Sequence, residues 1–411
     1  MSQPTEIQIR PIEDDEMPAF CVAMAQGFGS DSDDGHADRV RAVMPLERTL
    51  AAFEGEQIVG TFGDFALTLT LPGKRQTAMA GTTMVTVRAT HRRQGLLRSM
   101  MAVHLQTAKD RGDAIAGLWA SETAIYGRFG FGLATELHGL KLDARRVTID
   151  RGDSSLQVRE IAADTISEAV APLWSRIAQS QAGFIDREAP RWGEIVRDPE
   201  NRREGGSARR HVIVIDPANP DRAIAYASYR MKASWQDAVP NGTIDVEVVV
   251  GESAEAHRVL WHYLTNVDLL PNVSYWNLPT NDSVVEMASN RRELHRCVND
   301  GLYLRILDVP AALTARGYES DGTLALAVVD DLGHAAGTFE LTGESGDATV
   351  NRSTAAADVT LDVRELSALL LGARSAEQFA DLGLIEGEAD KVALLGRLLR
   401  TAATPWCPEE F

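Results

Sequence analysis

Cysteine is scarce in this chain of 411 residues, and its placement argues against both disulfides and zinc. Cys21, Cys297 and Cys407 are odd in number, far apart and without a histidine at ligand spacing. No apolar run approaches the roughly 18 residues that would span a bilayer. The acidic N-terminal stretch lacks the apolar segment of a signal peptide. We therefore expect a cytoplasmic protein without a metal.

Positive charge is also in short supply, because the formal net charge is −18 at pH 7. A field of this sign repels nucleic acid and anionic membrane surfaces, so neither is an expected partner. A cationic substrate would complement it, although ordinary acidic solubility would give the same composition. The length predicts two or three domains rather than one.

The most informative stretch joins a strand to a helix through a basic turn. Val85, Thr86 and Val87 end a β-rich run, and apolar residues at helical spacing follow from Leu96. Between them, Arg92-Arg93-Gln94-Gly95 places two cations and a glycine at the helix start, where unpaired backbone N–H groups attract phosphate. A solvated turn before an amphipathic helix is the alternative.

The segments after this helix complete a recognisable order. A short apolar strand at residues 114–119 precedes Ser121-Glu122 and a helical turn that ends in Tyr126-Gly-Arg-Phe-Gly-Phe131. Strand, phosphate turn, helix, strand and short helix resemble the core of the GCN5-related N-acetyltransferases (GNAT). The turn is similar to their R/Q-x-x-G-x-G/A signature, with Leu97 where the family usually has a small residue.

Two further segments give the domain organisation, which we expect to be 1–150, 151–299 and 300–411. The second segment repeats the plan of the first, but its turn, Gly251 to His257, carries two glutamates and no arginine. It predicts a second GNAT-like fold without a cofactor site. The third is α+β and resembles a sterol-carrier-protein fold with a structural role. The predicted fold class is therefore α+β, with α and β elements mixed along the chain (mixed α/β).

Together the three parts resemble the enhanced intracellular survival (Eis) family of actinobacterial N-acetyltransferases over the full length. The resemblance implies acetyl-CoA as co-substrate, a homohexamer, and acetylation of cationic amines such as aminoglycosides at several positions. It implies Tyr126 as general acid and the C-terminal carboxylate of Phe411 as general base. It places acetyl-CoA on Val85, Thr86, Val87, Arg93, Gln94, Gly95, Leu96, Leu97, Arg98, Ser121 and Glu122.

Residue chemistry supports the two proton-transfer roles independently. A phenol with an ordinary pKa of about 10 is protonated at neutral pH and can deliver its proton to a departing thiolate. An α-carboxylate, with an ordinary pKa near 3.5, is a weak base unless burial raises its pKa or a water relays the proton. A core tyrosine packed on Phe129 and Phe131, and a surface tail ending in Phe411, are the structural alternatives.

Substrate contacts are expected from acidic and aromatic side chains. Asp31, Asp33 and Asp34 follow the first helix and, with Glu410, are candidates for binding a cation, unless they are only solvated loop charge. Phe28 and Trp192 are candidates for an aromatic wall of the substrate pocket. Met84 occupies a position where the family usually has an aromatic residue. Lysine acetylation of proteins or peptides is the alternative activity, and a non-catalytic lipid- or CoA-binding module is the alternative from another class.

Overall fold

The computed structural model describes residues 7–411. The first seven strands are β1 (Ile7–Arg10), β2 (Thr49–Glu54), β3 (Gln57–Leu71), β4 (Arg75–Val87), β5 (Ile115–Trp119), β6 (Gly132–Leu133) and β7 (Glu136–Asp143). Eight follow in the middle of the chain: β8 (Gln157–Ile161), β9 (Arg210–Asp216), β10 (Asn219–Lys232), β11 (Trp235–Gln236), β12 (Val239–Pro240), β13 (Thr243–Gly251), β14 (Asn272–Pro279) and β15 (His295–Asp300). The remaining strands are β16 (Leu302–Ile306), β17 (Gly322–Val329), β18 (Gly337–Glu344), β19 (Asp347–Arg352), β20 (Val359–Asp362) and β21 (Ile385–Gly387).

The α-helices alternate with these strands. They are α1 (Met17–Gly27), α2 (His36–Val43), α3 (Leu96–Asp110), α4 (Thr123–Tyr126), α5 (Ile166–Ala178), α6 (Ala189–Val196), α7 (Ala254–Leu264), α8 (Val284–Met287), α9 (Val309–Thr314), α10 (Val363–Leu369), α11 (Ala376–Asp381) and α12 (Ala389–Leu399).

The first sheet has the order β1-β2-β3-β4-β5-β16-β6. β3 and β4 form a long antiparallel hairpin, and β4 then pairs in parallel with β5. Helix α3 makes the crossover between those parallel strands. Its apolar face, which includes Met100, Met101 and Leu105, is buried against the sheet. The 3.6-residue spacing in the sequence thus becomes the core of the domain.

A strand from far along the chain closes this sheet. β16 pairs antiparallel with β5, from Leu302 opposite Trp119 to Ile306 opposite Ile115. Conversely β7, which the expected boundary at residue 150 assigns to the first domain, pairs with β14 and β15 in the second sheet. Among the described residues, the compact units of the structure are therefore 7–135 together with 302–411, and 136–301.

The second unit is built on a sheet of order β15-β7-β14-β13-β10-β9-β8. It has the same elements as the first fold, with a parallel pair, β13 and β14, joined by helix α7. Trp261 of α7 and Tyr275 of β14 are both buried in its core. This repeat of the plan confirms the predicted second GNAT-like fold.

The C-terminal domain is a five-stranded sheet of order β19-β18-β17-β20-β21, covered by α9–α12. Within the first compact unit it packs against the N-terminal domain at the tip of the β3–β4 hairpin. Gly317 N–H donates a 2.7 Å hydrogen bond to the Pro72 carbonyl. A Cβ on Gly73 would lie 2.7 Å from Gly317 Cα, so this contact requires a residue without a side chain.

Candidate active site

The parallel strands at the centre of the first sheet diverge halfway along. β4 and β5 pair only from Met79–Ile115 to Gly81–Gly117. Beyond Gly81, β4 continues to Val87 bonded on its other side to β3. Residues 82–87 therefore have no strand paired on the side that faces β5, and Val85, Thr86 and Val87, which are predicted to bind acetyl-CoA, lie in this unpaired part of β4.

A β-bulge accompanies this divergence. Thr61 lies opposite Thr86, while Gly63 lies opposite Thr83, so β4 carries one extra residue there. Met84 lies in the bulge with a positive φ of 54°, a backbone conformation that residues with a side chain rarely adopt. The Thr61 hydroxyl donates to the Met84 carbonyl at 2.8 Å and lies 2.7 Å from the Thr86 hydroxyl. These bonds hold the bulge in one conformation.

The basic turn opens a helix whose first N–H groups have no side-chain cap. Gly95 is the N-cap of α3 in the left-handed region, with φ of 85°, and Arg93 before it has φ of 63°. Arg92, Arg93, Gln94 and Arg98 are exposed. This arrangement suits the phosphates of a nucleotide. The side chains of Leu96 and Leu97 instead pack toward the core. These two residues can therefore contact a phosphate only through their backbone N–H groups.

Tyr126 lies at the end of α4, beyond the opening of the sheet. Its ring is 6% exposed and packs edge-on against Phe131 with centroids 6.1 Å apart, so the core-packing alternative also describes it. Burial, together with the Glu122 carboxylate, raises the pKa of Tyr126 above its ordinary value, and the Ser121 hydroxyl offsets only part of this. The phenol is thus firmly protonated at neutral pH. Ser121 and Glu122 themselves are exposed before the helix.

The last residues of the chain lie across the same opening. Residues 405–409 are buried, and Trp119 Nε1 on β5 donates a 2.8 Å hydrogen bond to the Glu409 carbonyl. The Phe411 ring lies against Gly81, where a Cβ would be 3.1 Å from Phe411 Cε2. Poor solvation and the neighbouring Glu409 raise the pKa of Glu410. The tail is therefore docked at the point where β4 and β5 separate.

A buried polar cluster behind β4 was not predicted from the sequence. Thr82 and Asp64 are cross-strand partners, and both contact His104 of α3: Thr82 Oγ1 is 2.8 Å from Nε2, and Asp64 Oδ2 is 3.4 Å from Nδ1. Burial alone would raise the pKa of Asp64. Interactions with His104, Arg111 and Arg48 outweigh burial and lower it. Two features of the sequence could have indicated this cluster: Asp64 is a charged residue within an apolar strand, and His104 lies on the apolar face of a helix.

The expected substrate-binding side chains are only partly supported. Asp33 pairs with Arg39, and Arg39 Nη1 also donates to the Asp34 carbonyl at 3.2 Å, so part of this acidic loop is already compensated. Phe28 is 52% exposed and remains available. Trp192 is 2% exposed in the second unit, 5.9 Å from the Trp174 ring, and the prediction that it lines a substrate wall is wrong.

The corresponding positions of the second fold are occupied by its own side chains. The Ser253 hydroxyl accepts a 3.2 Å hydrogen bond from Ala256 N–H and so caps α7. Glu252, in the turn, pairs with Arg222 at 2.6 Å. That this fold has no acetyl-CoA site stays a prediction.

Within residues 7–411, no group of side chains is arranged to hold a metal ion, and no helix is long and apolar enough to cross a membrane.

Fold and site together define a GNAT acetyltransferase. Residues 8–134 and 183–306 match family models described as acetyltransferase (GNAT) domains, and residues 309–408 match a sterol carrier protein domain. The chain is 35% identical to an uncharacterized N-acetyltransferase of Streptomyces avermitilis, which it covers end to end: 100% of both chains. It is 31% identical to the N-acetyltransferase Eis of Mycobacterium tuberculosis over 90% of each chain.

Solved structures agree with these sequence relatives. Eis1 from Mycobacterium abscessus superposes with a TM-score of 0.81 at 26% identity, covering 99% of this chain and 100% of that one. An N-acetyltransferase from Anabaena variabilis has the same fold, with a TM-score of 0.85 at 18% identity, over 99% of this chain and 100% of that one. The chain belongs to the Eis family of N-acetyltransferases, and the predicted fold class is confirmed.

Proposed function

We propose that this acetyltransferase moves the acetyl group of acetyl-CoA to amines of cationic, multi-amine small molecules such as aminoglycosides, at more than one position. The observation that carries the proposal is the open edge of β4 beside the uncapped start of α3. The edge offers backbone partners to pantetheine amides, and the helix start offers N–H groups and arginines to the phosphates. The net charge of −18 favours a cationic acceptor.

In this proposal the reaction is a single acyl transfer. The acceptor nitrogen bonds to the thioester carbon, the carbon–sulfur bond breaks, and the sulfur leaves with the bonding electron pair. Tyr126 gives its proton to that sulfur. The nitrogen loses a proton to the α-carboxylate of Phe411, directly or through a water. Phe411 is supported in this role by the docking of residues 405–409 at the opening of the sheet.

Assembly and location follow from the family likeness. We propose a homohexamer and a cytoplasmic location, with no nucleic acid or membrane as partner. Light scattering coupled to gel filtration tests the assembly, and a mass other than that of six chains would contradict it.

A thiol-release screen tests the activity. Acetyl-CoA is offered with aminoglycosides, polyamines, lysine peptides or no acceptor, and mass spectrometry counts the acetyl groups gained. We expect multiple acetylation of aminoglycosides and little of peptides. Faster transfer to peptides would favour the lysine acetyltransferase. Purified protein that carries lipid and releases no thiol with any amine would indicate a binding module instead.

The Tyr126→Phe variant tests the acid role in the same assay. It keeps the ring packed on Phe131 and removes the transferable proton. General acid catalysis contributes about 10²–10⁴-fold, so turnover should fall by that order while the Michaelis constant for acetyl-CoA stays nearly constant. Turnover within about twofold of the parent would assign the proton to another group.

A further inference from the structure

One buried arginine fastens the turn that follows Tyr126. Residues 127–129 continue α4 as a single turn of 3-10 helix, which ends at Gly130. Arg305, on β16, is fully buried, and its Nε donates a 2.8 Å hydrogen bond to the Phe129 carbonyl. The side chain therefore reaches the turn from the strand that returns after the second fold.

The same guanidinium also binds the C-terminal domain. Its Nη2 donates to both carboxylate oxygens of Asp330, at 2.8 and 2.7 Å, and its Nη1 donates to the Ile306 carbonyl at 2.6 Å. Asp330 in turn accepts backbone N–H bonds from Leu332 at 3.1 Å and Ala335 at 2.8 Å. Both members of the pair are thus held in one orientation from several sides.

Gly130 permits this close approach. It has φ of 80°, and a Cβ there would lie 2.6 Å from Arg305 Nε and 2.8 Å from Val363 Cγ1. Any other residue would push the guanidinium and the turn apart. The backbone conformation and the space available agree in requiring glycine.

Overall stability does not account for such a pair. Replacing a buried ion pair with apolar residues is often neutral or stabilising. A polar network in which every group is hydrogen-bonded instead favours one conformation over alternative conformations. The conformation selected here is that of the Tyr126 turn: Gly130 N–H bonds to the Gly127 carbonyl at 3.0 Å, and Phe131 N–H to the Tyr126 carbonyl at 3.4 Å.

We propose that Arg305 and Asp330 are positioning residues for Tyr126, holding its turn so that the phenol meets the departing sulfur. This inference rests on the proposed role of Tyr126 as general acid. It gives the C-terminal domain a part in acetyl transfer, because Asp330 belongs to that domain. A misplacement of about 1 Å can cost on the order of 100-fold in rate, so the pair should be visible in turnover.

The test is a double-mutant cycle. Arg305→Met is made in the parent and in the Tyr126→Phe background, and turnover and the acetyl-CoA Michaelis constant are measured for each. In the parent, turnover should fall about 10–100-fold with the Michaelis constant within about twofold. In the Tyr126→Phe background, the same change should add less than about twofold, because the group being positioned is gone.

Arg316→Met is the matched control. Arg316 is also fully buried, but its Nη1 and Nη2 donate to the carbonyls of Leu370 and Leu399, at 2.9 and 2.8 Å, within the C-terminal domain. It should lower the melting temperature and leave turnover of the folded protein unchanged. Arg305→Lys keeps the positive charge but loses the several N–H donors of the guanidinium. Compared with Arg305→Met, it should therefore recover more of the stability than of the turnover.

Each outcome is decisive. Additive losses in the cycle, parental turnover for Arg305→Met, or full rescue of turnover by lysine would overturn the positioning role. If Arg305→Met does not fold, Asp330→Asn, which keeps an oxygen acceptor, is compared in the same two backgrounds by the same criteria. A Tyr126→Phe protein of parental activity would instead refute the acid assignment, so the two failures are distinguishable.

Discussion

Adding one glycine after Phe411 should remove most of the turnover while leaving the fold intact. The tail is anchored by the hydrogen bond between Trp119 Nε1 and the Glu409 carbonyl, 2.8 Å long, and residues 405–409 are buried. The extra residue cannot be absorbed upstream of that anchor. It therefore displaces the carboxylate forward and leaves a neutral amide in its former place.

The size of the effect follows from the reach of a proton transfer. One extended residue moves the charge by about 3.5 Å, whereas a general base must lie roughly 2.6–3.2 Å from the proton donor or act through one water. Loss of general base catalysis should cost about 10²–10⁴-fold in turnover. Phe411→Ala keeps the carboxylate and loses only the ring packed on Gly81, so its loss should be smaller.

Initial rates of thiol release, measured with saturating acetyl-CoA and an amine across pH 6–9, provide the assay. A glycine added at the N-terminus is the control, and circular dichroism and melting temperature verify the fold. Full turnover of the extended protein across this pH range would refute the terminal base and make Asp31, Asp33 and Asp34 the next candidates. Equal losses for the extension and for Phe411→Ala would show that packing, rather than the charge, matters.

Three further predictions concern the rest of the catalytic domain. Arg93→Glu should raise the acetyl-CoA Michaelis constant by about tenfold or more with a smaller change in turnover, because an exposed cation at the α3 start becomes an anion; an unchanged constant in steady-state kinetics would remove the turn from the site. Since the pKa of Tyr126 is raised above its ordinary value near 10, its deprotonation should not reduce turnover below about pH 10, and a decline in the pH–rate profile near pH 8 that persists in Tyr126→Phe would belong to another group. The pKa of Asp64 is lowered in the folded protein, so its stabilising contribution is fully present above the ordinary value near 3.9 and is lost as the pH falls from there through the lowered pKa of the folded state. Asp64→Asn should therefore weaken stability to urea at pH 7 more than at pH 3, and an equal loss at both would contradict this.

Local patterns in the sequence predicted the elements that form the site. The apolar spacing from Leu96 became helix α3, and the run before Val87 became β4. Gly95, the glycine of the basic turn, has a positive φ and is the N-cap of α3. These features depend on residues within one or two turns of each other, which is the range over which periodicity and turn chemistry carry information.

Non-local pairing could not be predicted in the same way. Nothing in the composition of β7 or β16 indicates that β7 pairs in the second sheet or that β16, from the expected third segment, pairs in the first. Trp192 illustrates the same limit, because an aromatic in a helix looks alike in sequence whether it lines a pocket or packs on Trp174. The Asp64 and His104 cluster depends on a contact between a strand and a helix about 40 residues apart.

The exchange of strands has a consequence for catalysis. Because β16 closes the first sheet after the second fold is complete, Arg305 enters the catalytic domain beside the strand that leads to Tyr126. The chain then builds the C-terminal domain, whose Asp330 fixes that arginine and whose final residues dock on Gly81 and Trp119. Both proposed proton-transfer groups are thus held by residues from the end of the chain. A fragment truncated after residue 135 would keep β4 and α3 but lose both supports, so we expect it to release no thiol from acetyl-CoA in the presence of an amine; release at the parental rate would contradict this.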